Sequence, residues 1–424
     1  MRPRSAALRL LPPSATPDVA RLVLARMVRS FADGVVSVIL PAYLIALGHS
    51  ATAVGGIVTA TLLGSAGLTL AVGLLAHRWR ARAVLLACCA LMLATGLGFA
   101  AIRDFAPLLL LAIVGTLNPT AGDVSVFLPI EQSLLASQVD ARDRTAVYAR
   151  SNVAAAAAGA LGALASAFPV PLARIAEIPL ADAMRAGFVL YAAAAVGAAV
   201  LYAGLEERGL PAAPEERPAP LSKSRGIVLR LSALFTLDSF GGGFVVQSLL
   251  ALWLFQRFGF SLPDAAAFFF AASLLAGVSQ LASPLLARRI GLVPTMVYTH
   301  VPANAFLVAA AFMPSAEWTV ALLLLRMTLS SMDIPARQAF VMAAVAPEER
   351  AAAASVTNVP RSLGAGLAPL AAGWLLARSS FGWPLVIGGA LKIAYDLLLL
   401  QSYRHHEASR GAVREDTSPP TRQR

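Results

Sequence analysis

Residues 333–361 read DIPARQAFVMAAVAPEERAAAASVTNVPR, and a degraded copy, PIEQSLLASQVDARDRTAVYARSNVA, occupies residues 129–154. The two register at a spacing of 206 residues. Pro129 falls on Pro335, Gln132 on Gln338, Asp143 and Arg144 on Glu349 and Arg350, and Ser151-Asn152-Val153 on Thr357-Asn358-Val359. One matched pair reverses its charge, Glu131 answering Arg337. An apolar helix is expected before each copy and another after it, so each polar cluster falls where two membrane helices turn around. The chain is therefore read as a doubled unit.

Working outward, the composition sets the class. Of 424 residues, 58% are apolar and 13% charged, with a mean hydropathy of +0.71, too little polar surface to cover a water-soluble globule of this size. A spanning helix needs about 20 mainly apolar residues. Such windows are expected near 21–48, 52–76, 83–102, 105–136, 145–168, 186–204, 230–256, 263–287, 292–313, 318–346, 351–377 and 381–402. The expected fold is an all-α membrane protein of 12 transmembrane helices in two pseudo-symmetric six-helix bundles.

The formal charge of +11 is unevenly placed. Alternate loops and both termini collect 24 lysines and arginines, whereas the opposite loops hold five: Arg103, Arg174, Arg185, Arg257 and Arg378. Positive residues accumulate on the cytoplasmic face, which puts both termini and the central loop there, in an inner (plasma) membrane. With no nucleic-acid reading motif present, the basic excess is a topology signal and no nucleic-acid partner is expected. Cys88 and Cys89, the two cysteines, are adjacent and read as small packing residues, without metal spacing or ordinary disulfide geometry. No cleavable signal segment is apparent at the N-terminus.

A second echo supports the doubling. GLLAHRWRARAVL (residues 73–85) and PLLARRIGLVPTM (residues 284–296) align at a spacing of 211, and Gly48 and Ser50 recur as Gly259 and Ser261 at that spacing. The expected organisation is a cytoplasmic arm (1–20), a first bundle (21–204), a Pro-, Glu- and Arg-rich cytoplasmic linker (205–229), a second bundle (230–402) and a cytoplasmic tail (403–424). Together these features resemble the major facilitator superfamily of secondary transporters. In that family the turn after the second span runs G-x-L-A-D-R-x-G-R-R. This chain keeps Gly73, Leu75, Ala76, Arg78 and Arg82, and departs at His77 and Arg80. The resemblance implies alternating access between two rocking bundles, with the turn acting at a cytoplasmic gate. It carries no substrate. The Arg-x-x-x-Gly and Gly-Pro patterns of proton antiporters are missing from the fourth and fifth spans.

Charges within spans are costly unless paired or facing water, and they mark function. The acids are Asp33, Asp123, Glu131, Asp238, Asp333 and Asp396, and the bases Arg150, Arg326, Arg337, Arg361 and Lys392. Asp33 is either a proton-coupling carboxylate or a headgroup-level acid paired with Arg26 or Arg29. Asp238 adjoins three glycines, Gly241 to Gly243, which weaken the seventh span where broken transporter helices line cavities, and Gln247 is a candidate donor one turn on. Arg326 and Arg361 are the deepest bases, suited either to an ion pair or to an anionic group on a substrate. Asp333 lies seven residues after Arg326, on the same helix face. Glu131 and Arg337 read as gate residues that attract across the halves, joined by His77, Arg78, Arg288 and Arg289 in the basic turns. Lys392 and Asp396, four apart, are expected to pair.

The function expected is secondary active transport of a small organic solute by a monomer, proton-coupled and with efflux preferred. No Walker-type phosphate loop, no HExxH and no GxSxG occurs, so neither ATP, a metal nor a cofactor is expected, and the chain is not read as an enzyme. The five histidines lie mostly in loops or the tail. A solute sensor that keeps the fold without flux is one alternative, and a proton-driven importer of an organic anion the other.

Overall fold

The computed structural model describes residues 16–75, 79–120, 125–139, 144–206, 224–345 and 349–403. The first half runs α1 (Pro17–Ala46), α2 (Ala51–Leu75), α3 (Ala81–Ala101), α4 (Phe105–Val114), α5 (Leu128–Ser137), α6 (Arg144–Ala165), α7 (Pro169–Ile175) and α8 (Leu180–Ala203). The second half runs α9 (Arg225–Gly243), α10 (Gln247–Phe258), α11 (Leu262–Ile290), α12 (Leu292–Phe312), α13 (Ala316–Ser330), α14 (Asp333–Ala344), α15 (Arg350–Arg378) and α16 (Trp383–Tyr403). Among the described residues nine helical stretches are long and apolar enough to cross a membrane. The three remaining expected spans coincide with α1, with α4 and α5 together, and with α15. The first and last of these have the length, at 30 and 29 residues, but carry Arg26, Arg29 and Asp33, and Arg350 and Arg361, respectively.

Three expected spans are each two helices. The fourth is α4 and α5, the seventh is α9 and α10, and the tenth is α13 and α14. Sequence explains the breaks. The matched prolines Pro129 and Pro335 sit in the first turns of α5 and α14, where a missing N–H costs nothing, whereas a continuous helix would lose a bond there. α9 stops at Gly243, the end of the glycine run, and the chain is extended at Val246 before α10 begins. Gly48 and Gly259, equivalent in the repeat, close α1 and α10 in the left-handed region, with φ of 87° and 65°. Any side chain would be strained at either.

The chain divides into two compact units. The first contains residues 1–217, 242–274 and 362–384; the second contains 218–241, 275–361 and 385–424. The first unit thus includes α10, the start of α11 and the second half of α15 beside the whole first bundle. In it α1 lies against α6, and small residues let the backbones touch: a side chain at Gly34 would overlap the Gly159 carbonyl, and one at Gly162 the Phe31 carbonyl. Tyr43, Phe99 and Phe188 stack where α1, α3 and α8 meet, with ring centroids 5.0 and 5.5 Å apart. The second unit is built on an apolar core of Leu231 and Phe235 from α9, Val293, Met296 and Val297 from α12, Ala336 and Phe340 from α14, and Tyr395 and Leu399 from α16.

Candidate functional site

Each unit buries a charge cluster, and the two follow one plan with opposite signs. In the first, Arg29 on α1 donates to Glu131 on α5 at 2.7 Å, both under 7% exposed at the side chain. Tyr202 on α8 donates to the other Glu131 oxygen at 2.5 Å, Arg29 also reaches Ser125 at 3.0 Å, and its guanidinium lies 4.0 Å from the Phe127 ring centroid. In the second, Arg337 on α14 donates to Asp238 on α9 at 3.0 Å, with the guanidinium 5.6 Å from the Phe235 ring centroid. Asp333 approaches Arg337 at 3.4 Å, and Lys392 on α16 donates to the second Asp238 oxygen at 2.5 Å.

The sequence held an unused signal for this. At a spacing of 209, Arg29-Ser-Phe-Ala-Asp-Gly-Val-Val aligns with Asp238-Ser-Phe-Gly-Gly-Gly-Phe-Val, matching Ser30, Phe31, Gly34 and Val36 to Ser239, Phe240, Gly243 and Val245. The reversal seen at Glu131 and Arg337 is therefore answered by a second reversal at Arg29 and Asp238. A bridge survives in each half because both of its ends changed sign.

The remaining candidates separate clearly. Asp33, one turn beyond Arg29, accepts a hydrogen bond from Asn118 and makes no salt bridge among the described residues; neither Arg26 nor Arg29 bridges it. Arg361 donates through Nε to Ser239 at 2.9 Å. Among the described residues, Arg326 reaches only the Met327 sulfur, at 3.3 Å, and its buried Nε has no hydrogen-bond partner. Neither arginine has a carboxylate partner among the described residues. Arg326 and Asp333, expected on one continuous helix, lie on separate helices, α13 and α14, either side of a turn at Ser331 and Met332. Gln247 donates to Ser37 at 2.9 Å. Arg288 and Arg289 are exposed at the end of α11. His77, Arg78 and Asp123 lie outside the described residues.

Lys392 and Asp396 do not pair. Lys392 turns to Asp238, and Asp396 takes Nδ1 of His300 on α12 at 3.0 Å. Partners on helices packed against α16 approach more closely than the residue one turn along it. His300 is buried within α12, inside the span expected at 292–313. Arg29, Tyr202, Lys392, His300 and Asp396 are thus site residues that sequence reasoning did not select. Among the described residues, the charge cluster of the second unit holds Arg326, Arg337, Arg361 and Lys392 against Asp238, Asp333 and Asp396, a surplus of one cation when His300 is neutral.

Within the first unit, a seam joins segments of the two sequence halves. Ser37 on α1 accepts from Gln247 at its hydroxyl and from Ser248 at its carbonyl, the latter at 2.8 Å, and Ser248 is also 2.8 Å from the Pro119 carbonyl. Nearby, α2 and α15 meet backbone to backbone at Gly55 and Gly373, and the Leu370 amide donates to Thr59 Oγ1 at 2.9 Å. Gly55 and Gly373 let the two spans approach this closely, with Gly55 set against the Pro369 carbonyl.

Broken spans, buried bridges repeated in two halves and a seam between them define a polytopic membrane transporter. A profile of the Major Facilitator Superfamily matches residues 22–332, and the chain belongs to that family. It is 25% identical over 423 residues to the uncharacterized membrane protein YJR124C of Saccharomyces cerevisiae, covering 91% of this chain and 94% of the relative. Its fold is shared with a D-xylose-proton symporter (14% identity, TM-score 0.71, covering 90% of this chain and 96% of the other). It is shared too with the nucleoside transporter NupG (12%, 0.70, 92% and 100%) and the human organic anion transporter MFSD10 (18%, 0.60, 91% and 100%).

Proposed function

We propose that the chain is a secondary active transporter of a small organic solute, working as a monomer by alternating access of two six-span halves (21–204 and 230–402), with a proton as the coupling ion and efflux as its direction. The observation that carries this reading is the buried charge cluster of the second unit, with Arg326 and Arg361 turned to no carboxylate among the described residues. Uncompensated cations inside a membrane protein mark a pathway or a binding site. The basic residues, 24 against five, support an inner-membrane orientation with both termini and the linker (205–229) in the cytoplasm. In that orientation the seam at Ser37, Gly55 and Gly373 belongs to the outer side. Glu131 and Arg337, with the basic turns at His77–Arg78 and Arg288–Arg289, then belong to the cytoplasmic gate, where their bridges to Arg29 and Asp238 hold each half's gate helices together.

The cation surplus favours a second reading, proton-driven import of a solute bearing an anionic group. The test is a thermal-shift panel of small solutes on purified protein, followed by counterflow in proteoliposomes with whatever stabilises it. Exchange of that solute across the bilayer supports transport, whereas binding without exchange makes the protein a sensor. Flux by Asp33→Asn and Asp238→Asn variants that retains full dependence on a proton gradient removes both carboxylates from the coupling role.

A further inference from the structure

The His300–Asp396 pair has no role in the bridges that hold the second unit's helices together, and its environment is unusual. Asp396 has no solvent exposure at all, one of its oxygens meets His300 Nδ1, and the other, Oδ2, has no partner among the described residues. One turn along α12 from His300, both side-chain polar atoms of Asn304 are likewise buried with no partner among the described residues, as is the hydroxyl of Tyr395, whose ring lies 6.3 Å from that of His300. Buried polar atoms are nearly always satisfied, and a group of exceptions around one titratable pair calls for a reason. A carboxylate facing a neutral imidazole is a buried anion with no cation in direct contact; one added proton makes it an imidazolium–carboxylate pair of zero net charge.

We propose that His300 and Asp396 together form a single-proton site, and that this pair, more than Asp238, holds the coupling proton. The inference rests on the transport reading above. Without the proton, Nδ1–H of His300 donates to Asp396 Oδ1, Nε2 is bare and the pair carries one negative charge. With it, a hydronium ion has given its proton to Nε2 and left as water, the pair is neutral, and no bond within the protein is broken. Asp238 is poorly suited to the task, because a proton arriving there must displace Lys392 or Arg337. The charged groups acting on the pair are Asp238 from α9 and Lys392 from its own α16. Helices α13 and α14, packed on α12, bring Arg326, Asp333 and Arg337, and Arg337 binds both Asp333 and Asp238. Loading the proton raises the cluster's cation surplus from one to two, which couples proton binding to binding of an anion and, by linkage, the reverse.

The test uses the full-length protein in detergent with ¹⁵N-labelled histidine. Five imidazoles are present, and His300→Gln identifies the resonances of interest. The expected result is a neutral ring with its proton on Nδ1 that becomes doubly protonated as the sample is taken from alkaline to mildly acid pH. Asp396→Asn should shift or abolish that response by at least a tenfold change in proton concentration. Asp396→Glu should keep it, and serves as the folded control. A His300 ring whose nitrogen shifts are constant across the range, or one that responds identically in wild type and Asp396→Asn, overturns the proposal. Counterflow is read separately: a protein that titrates at His300 yet exchanges no solute strikes the transport reading and leaves the proton site standing.

Discussion

Arg29 and Glu131 form in the first half the salt bridge that Asp238 and Arg337 form in the second, with the signs exchanged at both ends. The bridge binds the first helix of each half to the second segment of that half's broken fourth helix. Removing one partner of such a pair strands a buried charge at a cost of about 3–5 kcal/mol, much more than the intact pair contributes. These bridges therefore fix which helices meet, and the apolar cores around them supply most of the stability.

A charge exchange tests this directly. Glu131→Ala should lower the thermal unfolding midpoint of the purified protein sharply, since it leaves Arg29 buried with only Tyr202 and Ser125. The double exchange Arg29→Glu with Glu131→Arg should recover more than half of the loss. An exchange no better than the worse single variant would show that the order of signs, and not merely pairing, is required.

The Asp238 carboxylate is shared by Lys392 and Arg337, so its contributions should not add. Lys392→Met and Arg337→Met will each destabilise, and the double variant will differ from their sum by about 0.5–3 kcal/mol, the usual coupling of residues in one network. Chemical unfolding of the four proteins measures it.

The seam in the first unit predicts a steric lock. Gly373→Val pushes a side chain into α2 at Gly55 and should separate α2 from α15. A reporter Thr59→Cys, whose hydroxyl now holds the Leu370 amide, should become reactive to a maleimide only in the Gly373→Val background. Both native cysteines are buried, which keeps the background low.

If Arg326 and Arg361 receive an anionic group, ligand stabilisation should depend on them. A solute at 100 times its Kd stabilises by about 2.7 kcal/mol. In Arg361→Met and Arg326→Met that thermal shift should fall by at least half for anionic solutes and be unchanged for a neutral one of the same shape. Equal shifts for both would remove the arginines from the binding site.

Much of the architecture was open to reading because a membrane leaves a chain few choices. Apolar windows of the right length must be helices, the basic loops follow a sidedness rule, and the matched segments 129–154 and 333–361 reveal the doubling. The glycine run before Gln247 was a correct pointer to a break in the seventh span. The breaks in the fourth and tenth were missed, although Pro129 and Pro335 announced them, because each half-helix read as part of one long apolar window. The individual charges Asp238, Arg337, Glu131 and Asp333 were also visible, since any ionisable residue in an apolar stretch stands out.

What the sequence by itself determined is the class: a doubled helical membrane protein with charges at stated places along each helix. What only the tertiary structure decided is who meets whom. Lys392 lies one turn from Asp396 along its own helix, yet it reaches Asp238 on α9, and Asp396 turns to His300 on α12. The physical reason is that position along a helix sets depth and facing, whereas an ion pair depends on which helix packs opposite, and that is chosen by the apolar and small residues distributed along all of them.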